Sequence, residues 1–251
     1  MIITIGGIII LWYIVIITRI CWEESKVGWP IIIYHRLVPY VTIHLILATL
    51  QLIYLLPFYL IGYFKYNDVM KHIGYNFALC IRLFWGNIIL SGLENIPDDK
   101  AIWIGNHQSI LDMGIMTCLP CKTPLVGTSK SSIKYVPASG IIAILCNTIL
   151  IDRKDKEKSN KFFRNSVNVL ENGDSINIYP QGTRKYGDPP LPFKYGAFNL
   201  SAITKTPILP YKIFYDIKNF NIFLEFFPII YPKDIHPKIL MQKTYDTIYY
   251  K

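Results

Sequence analysis

A chain of 251 residues has room for one large domain, or for one domain and an appendage. It is 52% hydrophobic with a mean hydropathy of +0.31, too apolar for an ordinary soluble domain unless the excess is local. The net charge of +9 suits an anionic membrane surface or another anionic partner, and the sequence carries no helix-turn-helix, zinc-finger or aromatic RNA-binding signature that would favour nucleic acid.

Residues Met1–Ile17 are almost wholly apolar, and Arg19 ends the run. The run lies near the short end of a membrane-spanning helix, which needs about 17–25 residues. No small-residue cleavage site is convincing, so a retained anchor is expected rather than a signal peptide. Cys21–Arg36 reads as a mixed loop carrying Glu23, Glu24, Lys26 and Arg36. A second apolar run, Leu37–Phe64, is broken by Pro39 and Pro57. Trp22, Trp29, Tyr34, Tyr54, Tyr59 and Tyr63 flank or dot these runs, as interfacial aromatics do. Most Lys and Arg residues follow Phe64, which predicts that the remainder sits on the cytoplasmic side. Two spans and a re-entrant hairpin fit equally well.

Lys65–Trp85 predicts an amphipathic helix, with Val69, Ile73, Phe77, Cys80, Ile81 and Phe84 at spacings of three and four. Strands are expected at Asn87–Leu90, Ala101–Ile104, Ser175–Tyr179, Tyr211–Tyr215 and Ile222–Phe227. Helices are expected from Ser109, over Ser159–Glu171 and over Asn199–Lys205. Ile141–Ile151 reads as one apolar run, and Lys154–Lys158 as solvated charge. This alternation argues an α/β domain. The five cysteines are odd in number and scattered, which is no disulfide framework. Cys118-Leu-Pro-Cys121 has redox or metal spacing but falls at the wrong end of a helix for a lowered thiol pKa, and no second pair accompanies it. No metal-ligand cluster is evident.

The centre of the chain is Trp103–Met113, where a buried strand ends in Gly105-Asn106-His107 and a helix follows. Reactive side chains gather at such strand ends. His107 and Asp112 are five apart, which on one helix would separate them by about 140°. The carboxylate reaches the imidazole only if His107 precedes the helix and Asp112 lies in its first turn. The alternative is a plain capping pair, with Ser109 at the N-cap and Asp112 at N3.

Four motifs then agree in order and spacing. They are Asn106-His107-x4-Asp112, Asn147-Thr-Ile-Leu-Ile-Asp152-Arg153, Tyr179-Pro180-Gln181-Gly182-Thr183-Arg184 and Thr206-Pro207-Ile208-Leu209-Pro210. Between them stand Lys130 with Pro137-x-x-Gly140, and Pro192-Phe193-Lys194-x-Gly196. From about Asn87 to Ile213 the chain resembles the 1-acyl-sn-glycerol-3-phosphate acyltransferases of the wider glycerolipid acyltransferase family, and its N-terminal hydrophobic module looks like that of bacterial members. The third motif departs from the family at Gln181, where glutamate is usual, keeping hydrogen-bonding capacity but losing a charge.

The resemblance implies an α/β fold with a mixed sheet flanked by helices and an N-terminal two-helix membrane module. Residues 1–64 would anchor, and residues 65–251 would form the catalytic domain. The implied reaction moves an acyl group from acyl-CoA or acyl carrier protein to the sn-2 hydroxyl of lysophosphatidic acid, forming phosphatidic acid at a bacterial inner membrane. A glycerolipid acyltransferase with another acceptor, or a non-catalytic phospholipid-binding relative, is the alternative. His107 is expected as general base with Asp112 holding its tautomer. Arg184, with Gly182 and Thr183, would bind the acceptor phosphate, helped by Arg153 and Lys130. Asn106, Gln181 and Pro207 would position substrate. Lys154–Lys161 would steer the anionic donor, and no metal or bound cofactor is implied.

Overall fold

The computed structural model describes residues 2–30, 34–63, 66–136, 138–151, 156–233 and 235–250. Its main sheet has six strands in the order β1-β8-β7-β2-β6-β3: Ile88–Ser91, Asn221–Phe226, Ile208–Asp216, Ile102–Gly105, Ser175–Ile178 and Leu125–Val126. Neighbours are parallel except β7 and β8, which pair antiparallel. The residues explain the layering. Every residue of β2 and β6 is buried, as strands covered on both faces must be. Strand β8 instead alternates, with Ile222, Leu224 and Phe226 inward and Phe223 and Glu225 outward. Trp103 joins a core with Phe77, Ile81, Leu111, Tyr211 and Tyr215 on one side of the sheet. Ile102 and Ile104 join the opposite core with Ile176, Phe198, Leu240 and Ile248. The parallel register places the ends of β2 and β6, at Gly105 and Ile178, at the same rim of the sheet.

Helices cover both faces. Tyr66–Phe84 (α3) and Leu111–Thr117 (α4) lie with the Trp103 core, and Lys156–Glu171 (α6), Gly196–Thr204 (α7) and Pro237–Tyr249 (α8) with the other. Ile141–Ile151 is not one element. It divides into helix α5, Ser139–Leu145, and strand β5, Ile149–Ile151, around Asn147 in left-handed conformation. Strand β5 pairs in parallel with β4, Thr128–Lys130, as a separate two-stranded sheet.

The N-terminal part differs from expectation in two ways. Helix α1 spans Ile2–Ser25, so the loop expected from Cys21 begins a turn later. The reason is visible in Glu24, which is fully buried and continues the helix inward. Helix α2, Tyr34–Leu60, passes through both Pro39 and Pro57 without breaking. Among the described residues it is the one helix long and apolar enough to cross a membrane. Val27, Trp29, Leu37, Tyr40 and Leu45 share a core with Trp103 and Leu111, so residues on both sides of position 64 pack as one body.

Helices α3 and α4 cross closely because both carry glycine at the contact. A Cβ on Gly114 would lie 1.7 Å from the Phe77 ring, and one on Gly74 2.4 Å from the Thr117 carbonyl oxygen. Gly114→Ala is therefore expected to cost about 1–3 kcal/mol through overpacking. Denaturation of the detergent-solubilised protein checks this, and an unchanged midpoint would contradict the packing described.

Candidate active site

Strand β2 ends at Gly105, and the backbone then turns sharply enough for Asp112, in the first turn of α4, to face back towards His107. Nδ1 of His107 lies 2.7 Å from Oδ2 of Asp112. That oxygen also accepts from the backbone N–H of Gln108 at 2.7 Å and of Ser109 at 3.0 Å. Tyr215, from the end of β7, donates its hydroxyl to Oδ1. The carboxylate is fully buried, and these four donors are what make its charge tolerable there. The Ser109 hydroxyl accepts from the N–H of Leu111, but the N-cap of α4 is Ile110, one residue later than the expected Ser109, and it makes no side-chain cap hydrogen bond. An ionised carboxylate only accepts; this assigns the hydrogen to Nδ1 and leaves the Nε2 lone pair free. Burial, and then the Asp112 charge, push the Tyr215 phenol well above its ordinary range, so it stays a donor.

Strand β6 delivers the next residues. The ring of Tyr179 stacks on His107, 4.1 Å between centroids and 11° between planes. Gln181 accepts from the backbone N–H of His107 at 2.8 Å and donates to the hydroxyl of Tyr249 in α8 at 2.9 Å. It thus pins the histidine's backbone, with each end of its buried amide engaged by protein. Gly182 turns the chain at φ 74°. The N–H of Lys185 then reaches the His107 carbonyl at 2.9 Å, tying the 181–185 loop to His107 on a second side.

Arg184 does not stand as a bare cation in this loop. Its guanidinium pairs with the carboxylate of Glu24 at the end of α1. Burial pulls its pKa below the ordinary value, and neighbouring Glu23 pulls the other way. Two further contacts join the same segments. The Tyr186 N–H donates to the Val27 carbonyl at 2.9 Å, and the Tyr186 ring stacks on Trp29 at 4.1 Å. Trp29 also meets Tyr215 edge to face at 5.1 Å. The residues after α1 therefore form a wall of the site.

The other expected residues fall into three groups. Asn106 is turned into the sheet: its amide donates to the Ile213 carbonyl at 2.8 Å and accepts from the Ile213 N–H at 2.7 Å, extending the β2–β7 ladder by a side chain. Pro207 is placed apart from His107. It precedes β7, and its carbonyl accepts from the N–H of Ile102, so it lies at the opposite rim of the sheet from His107. Lys130 and Thr183 are both exposed, Lys130 at the end of β4 and Thr183 on the loop. Arg153 lies outside the described residues, as do Asp152, Pro137 and Lys154. Burial pushes the Cys118 thiol up to about 11 and the Cys121 thiol to about 12, and both are free, which does not suit a redox pair. Among the described residues no three His, Cys, Asp or Glu side chains converge as a metal centre would require.

Residues 87–213 match the model of a protein family described as Acyltransferase. The chain belongs to the acyltransferase family. It is 38% identical over 122 residues to a 1-acyl-sn-glycerol-3-phosphate acyltransferase of Saccharomyces cerevisiae, covering 47% of this chain and 40% of that one. It is 33% identical over 144 residues to the enzyme of that name from Haemophilus influenzae, covering 54% and 60%. The chain spans about half the length of the curated relatives it matches. A crystal structure of the 1-acyl-sn-glycerophosphate acyltransferase of Thermotoga maritima shares the fold, with a TM-score of 0.64 at 19% identity over 81% of this chain and 92% of that one.

The matched acyltransferase span holds His107, Asp112, Gln181 and Arg184, but Glu24, Trp29, Tyr215 and Tyr249 lie outside it. Motif reading had no means of finding these four. The signal available for Glu24 was an acid next to an apolar run, ambiguous with a solvated loop. Tyr215→Phe keeps the ring and deletes one donor to a buried carboxylate. It is expected to destabilise this acyltransferase by about 1.5–3 kcal/mol, read from the denaturation midpoint. A loss no larger than that of Tyr231→Phe at an exposed site would contradict the bond.

Proposed function

We propose that the chain transfers a fatty acyl group from a thioester donor, acyl-CoA or acyl carrier protein, to the sn-2 hydroxyl of 1-acyl-glycerol 3-phosphate. The observation that carries the reading is the His107–Asp112 pair, its imidazole oriented by a buried carboxylate. In this mechanism Nε2 of His107 removes the hydroxyl proton while the oxygen attacks the thioester carbonyl. The tetrahedral intermediate collapses, the carbon–sulfur bond breaks, and the thiolate takes the proton back from His107. No covalent acyl-enzyme is needed. Arg184 holds the acceptor phosphate through the donors that Glu24 leaves open, with Gly182 and Thr183 shaping its loop and Lys130 and Arg153 as the further cations expected to assist it.

The acceptor and product are lipids, which gives the apolar N-terminal helices their place. Exposed Leu11, Trp12, Val15, Leu50, Ile53 and Leu60 would sit in lipid, with the sheet domain on the cytoplasmic side. Each CH2 kept from water is worth about 0.8 kcal/mol, so an acyl chain held at the membrane avoids a prohibitive extraction.

Detergent-purified protein, labelled lysophosphatidic acid and each donor in turn test this directly. Phosphatidic acid should form, and His107→Ala should lower kcat by on the order of 10²–10⁴. Arg184→Ala should raise the acceptor KM at least about tenfold, the equivalent of roughly 1.4 kcal/mol, relative to Arg164→Ala on the exposed face of α6. Near-full activity in His107→Ala would remove the base. Equal KM values in the two arginine variants would remove the phosphate site.

A further inference from the structure

Glu24 is fully buried, and its pairing with Arg184 joins two segments 160 residues apart. Apart from this ion pair, neither carboxylate oxygen has a hydrogen-bond partner among the described residues. A buried carboxylate so placed has one counter-charge, and the guanidinium is held by it. The position of that guanidinium matters because its loop is bound to the base. Lys185, the next residue, donates to the His107 carbonyl, and Gln181, three residues earlier, accepts from the His107 N–H. On the other side, Val27 and Trp29 grip Tyr186 by a backbone hydrogen bond and a ring stack. The end of α1 is thus joined, by direct contacts, to the cation and through it to the base.

We infer that Glu24 is a positioning residue for the acceptor's anionic headgroup: it holds one edge of the Arg184 fork, and so fixes where the remaining donors meet the phosphate. This rests on the reading of Arg184 as the phosphate ligand. The physical reason is the asymmetry of a buried pair. With Glu24 neutralised, the guanidinium loses its paired carboxylate in a desolvated place, with Glu23 left as a neighbouring charge, and relaxes towards water. The phosphate must then draw it back before binding. Loss of the charge therefore weakens recognition of an anionic acceptor more than that of an uncharged one. A carboxylate that merely fastened α1 to the domain would affect both acceptors alike.

The test uses the full chain in lipid nanodiscs and compares initial rates on lysophosphatidic acid and on monoacylglycerol with the same acyl chain. The ratio of the two rates is independent of the fraction of folded protein. Glu24→Gln should lower that ratio at least fivefold, with the donor KM within twofold of the parent. Glu24→Asp, which keeps the charge but shortens its reach, should lie between Gln and the parent. In an Arg184→Ala background, Glu24→Gln should change the ratio no further. If Arg184→Ala lowers the ratio and Glu24→Gln does not, Glu24 has no positioning role and the phosphate reading stands. If Arg184→Ala leaves the ratio unchanged, the phosphate reading itself fails. Should Glu24→Gln not fold, Glu24→Asp decides alone, and a ratio equal to the parent's overturns the inference.

Discussion

One buried carboxylate organises this molecule. Asp112 is removed from water and carries a charge that the interior tolerates only because four donors converge on it. Two are backbone N–H groups of the turn between β2 and α4, one is the imidazole, and one is a phenol from β7. Each comes from a different structural constraint. The turn exists because β2 ends at Gly105, where a side chain would strike the Tyr211 ring at 2.2 Å. The phenol arrives because β7 continues past the end of β2. A shift in any one would leave the carboxylate under-satisfied, a penalty of about 1–3 kcal/mol or more. Fold and site are therefore stabilised by the same bonds.

The N-terminal helices are more than an apolar tether. An anchor joined by a flexible linker would leave the site unchanged when moved. Here Glu24, Val27 and Trp29 contact Arg184 and Tyr186, and Trp29 reaches the phenol that supports Asp112. The exposed apolar residues of α1 and its buried Glu24 belong to one helix, so a movement of α1 would be passed directly to Arg184.

Five of the six strands of the main sheet were readable, β2 as an unbroken apolar run and β6 and β8 as apolar residues at alternate positions, and the His107–Asp112 meeting followed from a spacing that only a bent path can close. Other features were hidden for definite reasons. The run 141–151 has only a two-residue polar break, Asn147-Thr148, and it is there, with Asn147 in left-handed conformation, that helix gives way to strand. Helix α8 went unread although Pro237 stands at its start and Leu240, Thr244, Thr247 and Ile248 recur at helical spacing, a pattern thinned by two threonines facing the core. Asn106 and Pro207 show that membership of a motif does not tell which side chains meet substrate: one extends a strand ladder and the other sits at the far rim. Glu24 was beyond any local reading, because its partner is remote in sequence and its burial is a tertiary fact.

The loop from Gln181 to Tyr186 is held between residues 24–29 on one side and Tyr249 on the other. Vectorial synthesis delivers these parts in a fixed order: the wall first, the loop next, the clamp last. While the ribosome is still extending the polypeptide past the loop, Gln181 lacks its second partner, so its hold on the His107 N–H is not yet braced from α8. The brace from α8 is therefore the last of these fastenings to be synthesised, and the fixing of the His107 backbone is completed only once Tyr249 has been made.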